Sequence, residues 1–281
     1  MATIAQQLTE LVNQKNALAA NLTTKGVTAS SSETLNTLVP KVLDIQTGGT
    51  SKLPQVIDKS VTTITADDLA GATEIGFYTF YMCGSLTTVE IPDSVMSIGL
   101  LAFYNCSNLT SITIPNGVTS IGNSAFSVCS KLTSITLPST LTSIGVSAFE
   151  NCSNLTSITI PNGVTLINNY IFRSCSSLAS ITIPEGVTSI GSGAFSDCSS
   201  LTSITIPNGV TSIGISAFLR CSSLTTMRVE ATTPPTLRNT NAISTATTQI
   251  QVPMASVDAY KTATNWSNFA DIIVGYEEET T

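Results

Sequence analysis

The sequence contains no histidine, and only 10% of its 281 residues are charged, against about 25% in an average globular protein. Histidine is the usual general base near neutral pH and the commonest metal ligand. Its absence excludes hydrolases of the Ser-His-Asp type. The net charge is −7, which disfavours a nucleic-acid partner because such partners require a basic surface.

Long apolar runs are also absent. None approaches the roughly 18 residues of a membrane span, so we expect no membrane insertion. The first ten residues lack a basic segment followed by an apolar one, and we interpret this as the absence of a secretory signal. What the chain has instead is hydroxyl groups, on 44 threonines and 37 serines. This composition disfavours an enzyme.

The seven cysteines recur at intervals of 23 residues, and phenylalanine and leucine keep the same interval. Repetition at a fixed period predicts a stack of similar structural units. The three series are Cys83, Cys106, Cys129, Cys152, Cys175, Cys198 and Cys221; Phe80, Phe103, Phe126, Phe149, Phe172, Phe195 and Phe218; and Leu86, Leu109, Leu132, Leu155, Leu178, Leu201 and Leu224.

The unit at 109–131, LTSITIPNGVTSIGNSAFSVCSK, begins with a strand pattern. Ile112 and Ile114 alternate with polar residues, which predicts a β-strand. Pro115 ends that strand because proline cannot donate to a ladder. Phe126 and Cys129, three residues apart, predict one helical or 3₁₀ turn that directs both side chains inward.

One such unit cannot bury its apolar face alone, so neighbouring units must stack. Each strand then pairs with its counterpart one coil away, about 4.8 Å along the rod. Identical leucine, isoleucine, phenylalanine and cysteine residues form ladders inside, and threonine and serine lie outside.

The pattern L-x-x-I-x-I-P-x-x-V-x-x-I-G-x-x-A-F-x-x-C resembles the BspA-like leucine-rich repeat over about residues 60–229. The resemblance implies a leucine-rich-repeat β-solenoid of right-handed stacked coils, with short strands and a helical turn in each. It also implies adhesion without catalysis. The string IQVPMASVDAYKTATNWSNFADII resembles the segment that caps such arrays.

Residues 1–46 share neither the period nor the composition, and they predict a small α-helical module. Their apolar residues follow a heptad-like spacing, interrupted by Lys15, which needs a partner surface. This proposed anchoring seam is Ile4, Leu8, Leu11, Leu18 and Leu22. The partner is either a second helix of the same chain, in a hairpin, or another chain. We prefer an oligomerising or docking module, because the glycines at 48 and 49 separate it from the repeats.

The chain therefore divides into four parts: an N-terminal helical anchoring module (1–46), a flexible linker (47–54), a leucine-rich-repeat solenoid (55–229), and a C-terminal cap with an acidic tail (230–281). The string LTELVNQKNALAANLTTKGVTASSSETLNTLVPKV resembles the anchoring segment of phage and prophage tail-fibre proteins.

The cysteines do not predict a metal or redox centre. Zinc sites need ligands in C-x₂₋₄-C pairs or with histidines, and a 23-residue interval supplies neither. Sulfurs stacked about 4.8 Å apart are also too far apart for a disulfide, whose mean Cβ separation is about 3.8 Å. We expect buried, reduced thiols, with no catalytic, metal-binding or cofactor-binding residue and no cofactor.

Residues near the predicted turn change from coil to coil, whereas the strand threonines do not. We call these residues the variable strip and propose that they bind a partner. The alternative is drift at positions that stacking does not constrain. The strip comprises Tyr104, Lys131, Glu150, Tyr170, Arg173, Asp197 and Arg220.

Two functional hypotheses follow. In the first, the chain is a non-enzymatic tail or head fibre of a phage virion, a homo-oligomer for which a trimer is one option. It binds virion structural proteins through its N-terminus and a host surface protein or glycan through the solenoid. In the second, it is a bacterial cell-surface adhesin or, failing that, a cytosolic protein-binding scaffold. The first places the chain on the virion surface, and the second on the bacterial surface.

The seam generates a prediction. If residues 1–46 form an oligomerising module, sedimentation of that segment alone will show self-association that weakens at low concentration, because the apolar seam is buried only between copies. A monomer at every concentration would contradict the oligomeric assignment.

Overall fold

The computed structural model describes residues 59–277, which wind into a rod of stacked coils. The predicted helical module (1–46), its anchoring seam and the linker (47–54) lie outside the described residues, as does the end of the acidic tail. The structure therefore describes the repeats and the C-terminal segment.

Each coil contributes two short strands, one on each of two faces of the rod. The strands within residues 59–277 are β1 (Thr63–Ile64), β2 (Glu74–Ile75), β3 (Thr88–Val89), β4 (Ser97–Ile98), β5 (Ser111–Thr113), β6 (Ser120–Ile121), β7 (Ser134–Thr136), β8 (Ser143–Ile144), β9 (Ser157–Thr159), β10 (Leu166–Ile167), β11 (Ser180–Thr182), β12 (Ser189–Ile190), β13 (Ser203–Ile206), β14 (Ser212–Ile213), β15 (Thr226–Val229), β16 (Thr236–Leu237), β17 (Gln249–Pro253) and β18 (Ile273–Tyr276).

We call the side formed by the odd-numbered strands the threonine face and the side formed by the even-numbered strands up to β16 the serine face. On both, strands pair in parallel with counterparts one coil away, in several short sheets separated by breaks such as that between β8 and β10. Ile112 pairs with Ile135 on the threonine face, and Ile121 pairs with Ile144 on the serine face. The predicted stacking of equivalent strands is confirmed.

The core is a set of ladders of identical residues. The phenylalanines stack from Phe80 to Phe218, with ring centroids of neighbours 4.9–5.6 Å apart and planes within 19° of each other. The leucine and isoleucine ladders are buried beside them, whereas strand threonines such as Thr113 and Thr136 are exposed. This confirms the predicted division between apolar interior and hydroxyl surface.

The predicted helical turn is wrong. Ser124 and Val128 adopt left-handed backbone conformations, with φ of 51° and 63°, which a helix or a 3₁₀ turn does not contain. The N–H groups therefore alternate: that of Ser127 bonds within the coil to Ser124 O, 3.1 Å away, while that of Phe126 reaches Ala148 O in the next coil, 2.8 Å away. A helix would satisfy its bonds internally and leave the coils unconnected on this side.

The abundant hydroxyl groups also join the coils. Thr133 Oγ1 donates to Thr110 O at 3.0 Å, and Thr156 Oγ1 donates to Thr133 O at 3.3 Å. Serines do the same at another position, where Ser176 Oγ donates to Ser153 O at 3.2 Å. Each bond joins residues 23 apart, so small hydroxyl side chains satisfy carbonyl groups between neighbouring coils.

The sheet continues past residue 229, where we placed the boundary of the cap. Gln249 pairs with Thr226, and Ile273 pairs with Ile250, so the 23-residue register outlasts the sequence motif. Between these strands lies one short α-helix, α1 (Val257–Thr262). The 3₁₀ helices within the described range are Ala66–Leu69, Thr240–Ala242, Met254–Ser256 and Trp266–Ile272.

The C-terminal segment covers the last coil with two buried aromatic rings. Tyr260 and Trp266 meet edge to face, with centroids 5.1 Å apart. The Tyr260 hydroxyl donates to Ala231 O at 2.7 Å, and Trp266 Nε1 donates to Pro235 O at 2.8 Å. These bonds satisfy carbonyl groups of the terminal coil, as the resemblance to a capping segment implies.

The backbones of adjacent coils approach one another closely at glycines of the serine face, among them Gly145. A Cβ on Gly145 would lie 2.5 Å from Asn123 N and 2.6 Å from Gly122 C, both rigid backbone atoms. At Gly186, in a turn between strands, the nearest atom to such a Cβ is Asn162 O at 3.4 Å.

These two glycines make a matched pair. Gly145→Ala is expected to lower the free energy of unfolding by about 1–3 kcal/mol, because the methyl group has no space between the coils. Gly186→Ala is expected to leave it unchanged or raise it by up to about 1 kcal/mol, because alanine restricts the unfolded chain. Urea unfolding of the full chain measures both, and equal effects would contradict the close approach at Gly145.

Candidate functional site

Four charged residues of the variable strip form ion pairs between adjacent coils. Arg173 Nη1 lies 3.4 Å from Glu150 Oε1. Arg220 binds Asp197 through two bonds, Nε to Oδ1 at 2.6 Å and Nη2 to Oδ2 at 3.0 Å. Each pair joins residues 23 apart, so stacking alone brings the partners together.

The two pairs form one electrostatic chain. The hydrogen bonds from Arg220 hold the pKa of the Asp197 carboxyl below its usual value, and the positive charge of Arg173 adds to that effect. The guanidinium of Arg173 also lies 5.6 Å from the centre of the Tyr170 ring, within cation–π range. Five of the seven predicted strip residues are thus neighbours.

In both ion pairs the arginine side chain is more exposed than its carboxylate partner. The side chains of Arg220 and Arg173 are 66% and 45% exposed, whereas those of Asp197 and Glu150 are 27% and 20% exposed. The surface therefore presents two guanidinium groups, each held in place by a carboxylate of the preceding coil.

The other two strip residues lie apart from this group. The Tyr104 ring stacks on that of Tyr81, with centroids 5.2 Å apart, and Tyr81 meets the Tyr78 ring edge to face at 5.3 Å. Lys131 Nζ donates to Asn108 Oδ1 at 2.7 Å. Tyr81 is not among the residues predicted from the sequence, although it stands 23 residues before Tyr104.

A cleft of about 480 Å³ opens on the serine face across the first coils. Ligand sites commonly have volumes of about 300–1,000 Å³. This cleft could not be predicted from the sequence, because its floor consists of serine and glycine at repeat positions. It is lined by Glu74, Gly76, Phe77, Ser97, Ile98, Gly99, Leu100, Ser120, Ile121, Gly122, Asn123, Ser143 and Gly145.

The repeats match a known protein family. The family model described as "BspA type Leucine rich repeat region (6 copies)" matches residues 58–176 and 143–253, more than half of the chain. The chain belongs to the BspA-type leucine-rich repeat family. No curated protein matches the sequence.

Solved structures of other repeat proteins are similar to this BspA-type chain. A leucine-rich repeat protein from Bacteroides ovatus is 26% identical over 70% of this chain, with a TM-score of 0.49, and the match spans 62% of that protein. The T. pallidum leucine-rich repeat protein is 26% identical over 76% of this chain and 83% of its own, with a TM-score of 0.45.

A third structure is a leucine-rich cell surface protein from Faecalibacterium prausnitzii. It is 24% identical over 79% of this chain and 84% of its own, with a TM-score of 0.34. In the BspA-type rod itself, no helix within residues 59–277 combines the length and apolar character needed to cross a bilayer.

The cysteines of this BspA-type rod are all buried and unbridged, as predicted. Their thiols have a role that the sequence analysis missed. Cys129 Sγ donates to Phe103 O in the preceding coil at 3.1 Å, and that carbonyl also accepts the N–H of Cys106. Cysteine therefore fills a tight apolar position and supplies a donor between coils.

Burial raises the pKa of the thiols at Cys129 and Cys175 to about 12, so they are poor nucleophiles near neutral pH. Within residues 59–277, no three cysteine, aspartate or glutamate residues are grouped as metal ligands would be. The cysteine ladder thus has the properties of a structural element.

The raised thiol pKa values make stability depend on pH. In the unfolded chain a thiol ionises near pH 8.5, whereas in the fold it stays neutral to about pH 12. The stabilisation is fully present below about pH 8.5 and is lost as pH rises toward 12. The unfolding midpoint is expected to fall over this alkaline range, and less steeply in Cys129→Ala; identical slopes would contradict the assignment.

Proposed function

We propose that this BspA-type protein is a non-enzymatic adhesion rod of a bacterial cell surface, which binds a surface protein or glycan through the variable strip. The match to a repeat family across most of the rod supports this function. The family is defined by a structural repeat and indicates no catalytic activity. The virion hypothesis receives no support from this match, so the cell-surface alternative is the better supported.

The main support for the proposal is the group formed by Tyr170 and the two ion pairs, Arg173 with Glu150 and Arg220 with Asp197. Most strand positions at the surface of the repeats carry neutral hydroxyl groups, whereas here two exposed guanidinium groups and the Tyr170 ring lie together. Arginine and tyrosine are the side chains most enriched among the dominant contacts of protein interfaces. Their carboxylate partners hold the guanidinium groups in fixed positions, which reduces the entropy lost on binding.

Several copies of the chain would strengthen binding through avidity. The homo-oligomer, its anchoring seam and its attachment to virion structural proteins concern residues outside the described range and remain predictions. The localisation at the bacterial surface is likewise part of the proposal.

The strip is tested by substituting Tyr170→Ala together with Arg173→Ala in the full chain. Binding to cultured host cells, measured by flow cytometry, is expected to fall about tenfold or more, since such contacts contribute about 2 kcal/mol or more when they dominate an interface. Arg238→Ala, which removes an exposed arginine on the serine face, is the matched control and is expected to bind normally.

A second variant separates recognition from stability. Asp197→Arg combined with Arg220→Asp keeps an ion pair between the coils but exchanges the exposed and covered charges. We expect weaker cell binding with a melting temperature that falls only slightly, because the cation introduced at position 197 is exposed to the charge of Arg173 but exposed ion pairs contribute little to stability. Normal cell binding by both double variants would remove the strip from the interface.

A further inference from the structure

The serine-face cleft of the first coils differs from the rest of that face. A second groove, of about 280 Å³, lies farther along the rod and has the same serine and glycine floor, including Ser189, Ser212, Gly191 and Gly214. The floor is therefore a repeated feature of the fold and does not by itself identify a site. The two clefts differ in the larger residues around them.

An aromatic ring lies at one end of the first cleft. Phe77 is 60% exposed, whereas the phenylalanines of the repeat ladder are fully buried. A Cβ at position 99 would come within 3.0 Å of Phe77 Cδ1, so the ring rests directly against the glycine of the next coil. In the second groove the equivalent positions hold Asn169, Ser192 and Ile215.

Polar groups follow the ring along the cleft. The hydroxyl groups of Ser97, Ser120 and Ser143 occupy successive coils, and the structure gives them no hydrogen-bond partner within residues 59–277. The side-chain amide oxygen of Asn123, Oδ1, accepts the Val146 N–H at 2.8 Å. This bond fixes the side chain and leaves its NH₂ group available as a donor at the cleft that Asn123 lines.

Much of the backbone of this face is engaged in pairing between coils. β2, β4, β6 and β8 pair with one another in register. β4 and β6, the inner strands of the cleft, are paired on both sides, so they offer no free strand edge to an extended peptide. What the cleft offers is an aromatic face, a row of hydroxyl groups and an amide.

That combination fits a sugar chain. One side of a hexose ring carries C–H groups that pack on an aromatic face, and its hydroxyl groups both donate to and accept from serine and asparagine side chains. The described lining residues include the acidic Glu74 and no basic side chain. This charge favours an uncharged oligosaccharide over an anionic one.

We propose that the cleft between Phe77 and Ser143 binds an uncharged oligosaccharide, with one sugar ring stacked on Phe77 and the following residues hydrogen-bonded along the serines. This inference rests on the proposed surface-binding function and names a ligand class for a second region of the rod. The cleft and the variable strip are built from different residues, so the two sites can be tested separately.

The experiment applies the full chain to an array of linear hexose and N-acetylhexosamine oligosaccharides, with sialylated and sulfated oligosaccharides and extended peptides alongside. Binding to at least one uncharged oligosaccharide is expected, and titration calorimetry with that sugar gives its affinity. Phe77→Ala is expected to weaken binding about tenfold, in line with the loss of one aromatic stacking contact. Phe77→Trp is expected to preserve binding.

Met96→Ala is the matched control, because Met96 is 59% exposed on a neighbouring coil but does not line the cleft. It is expected to bind sugar normally. The substitution of Tyr170 and Arg173 is also expected to leave sugar binding intact, so loss of cell binding with normal sugar binding would leave this inference standing.

Four outcomes would overturn the inference: no uncharged sugar retained by the folded chain, a preference for the anionic sugars, equal affinity in Phe77→Ala, or Phe77-dependent binding of extended peptides in place of sugars. Each of these leaves the strip experiment unaffected, so failure of the cleft and failure of the proposed function are distinguishable.

Discussion

The register between coils is the constraint on which the rest of this structure depends. Every residue of the repeat lies above its equivalent 23 positions earlier, and backbone bonds hold that register on both strand faces and along the turns. The turns show how strict the requirement is. Left-handed residues such as Ser124 and Val128 direct alternate N–H groups along the rod, which costs local backbone energy but connects the coils where no strand exists.

The register also explains the unusual composition. A position that is repeated in every coil must be compatible with a copy of itself about 4.8 Å away. Like charges at that distance would repel, whereas phenylalanine rings stack and threonine hydroxyls donate to the carbonyl of the preceding coil. Cysteine satisfies the same condition in the core, since it is small, neutral while buried, and able to donate to a phenylalanine carbonyl. Low charge and abundant hydroxyl groups therefore follow from stacking.

Recognition requires departures from this regularity. In two places a charged residue of the ladder has a residue of opposite charge one coil away, Arg173 beside Glu150 and Arg220 beside Asp197. This compensation keeps the stack intact and leaves the arginine exposed, as the proposed external contact requires. Phe77 is a different kind of departure, because it places an aromatic ring over a glycine of the next coil without disturbing the buried phenylalanine ladder. Both surfaces arise from a few exceptions within an otherwise uniform array.

The sequence by itself determined the 23-residue period, the inward and outward residues of the strands, the parallel pairing of equivalent strands and the reduced state of the thiols. These follow from local patterns repeated in register. Only the tertiary structure decided the alternating turns, because the hydrogen bonds that favour left-handed Ser124 over a helix come from the neighbouring coil.

The same holds for the functional surfaces. Tyr170, Arg173 and Asp197 could be singled out from the sequence because they break the repeat. Their arrangement as one group of interacting side chains, however, depends on the distances between coils. The cleft could not be predicted at all, because its floor is made of residues that look purely structural. A concave surface depends on how closely backbones approach in three dimensions, and no single repeat contains that information.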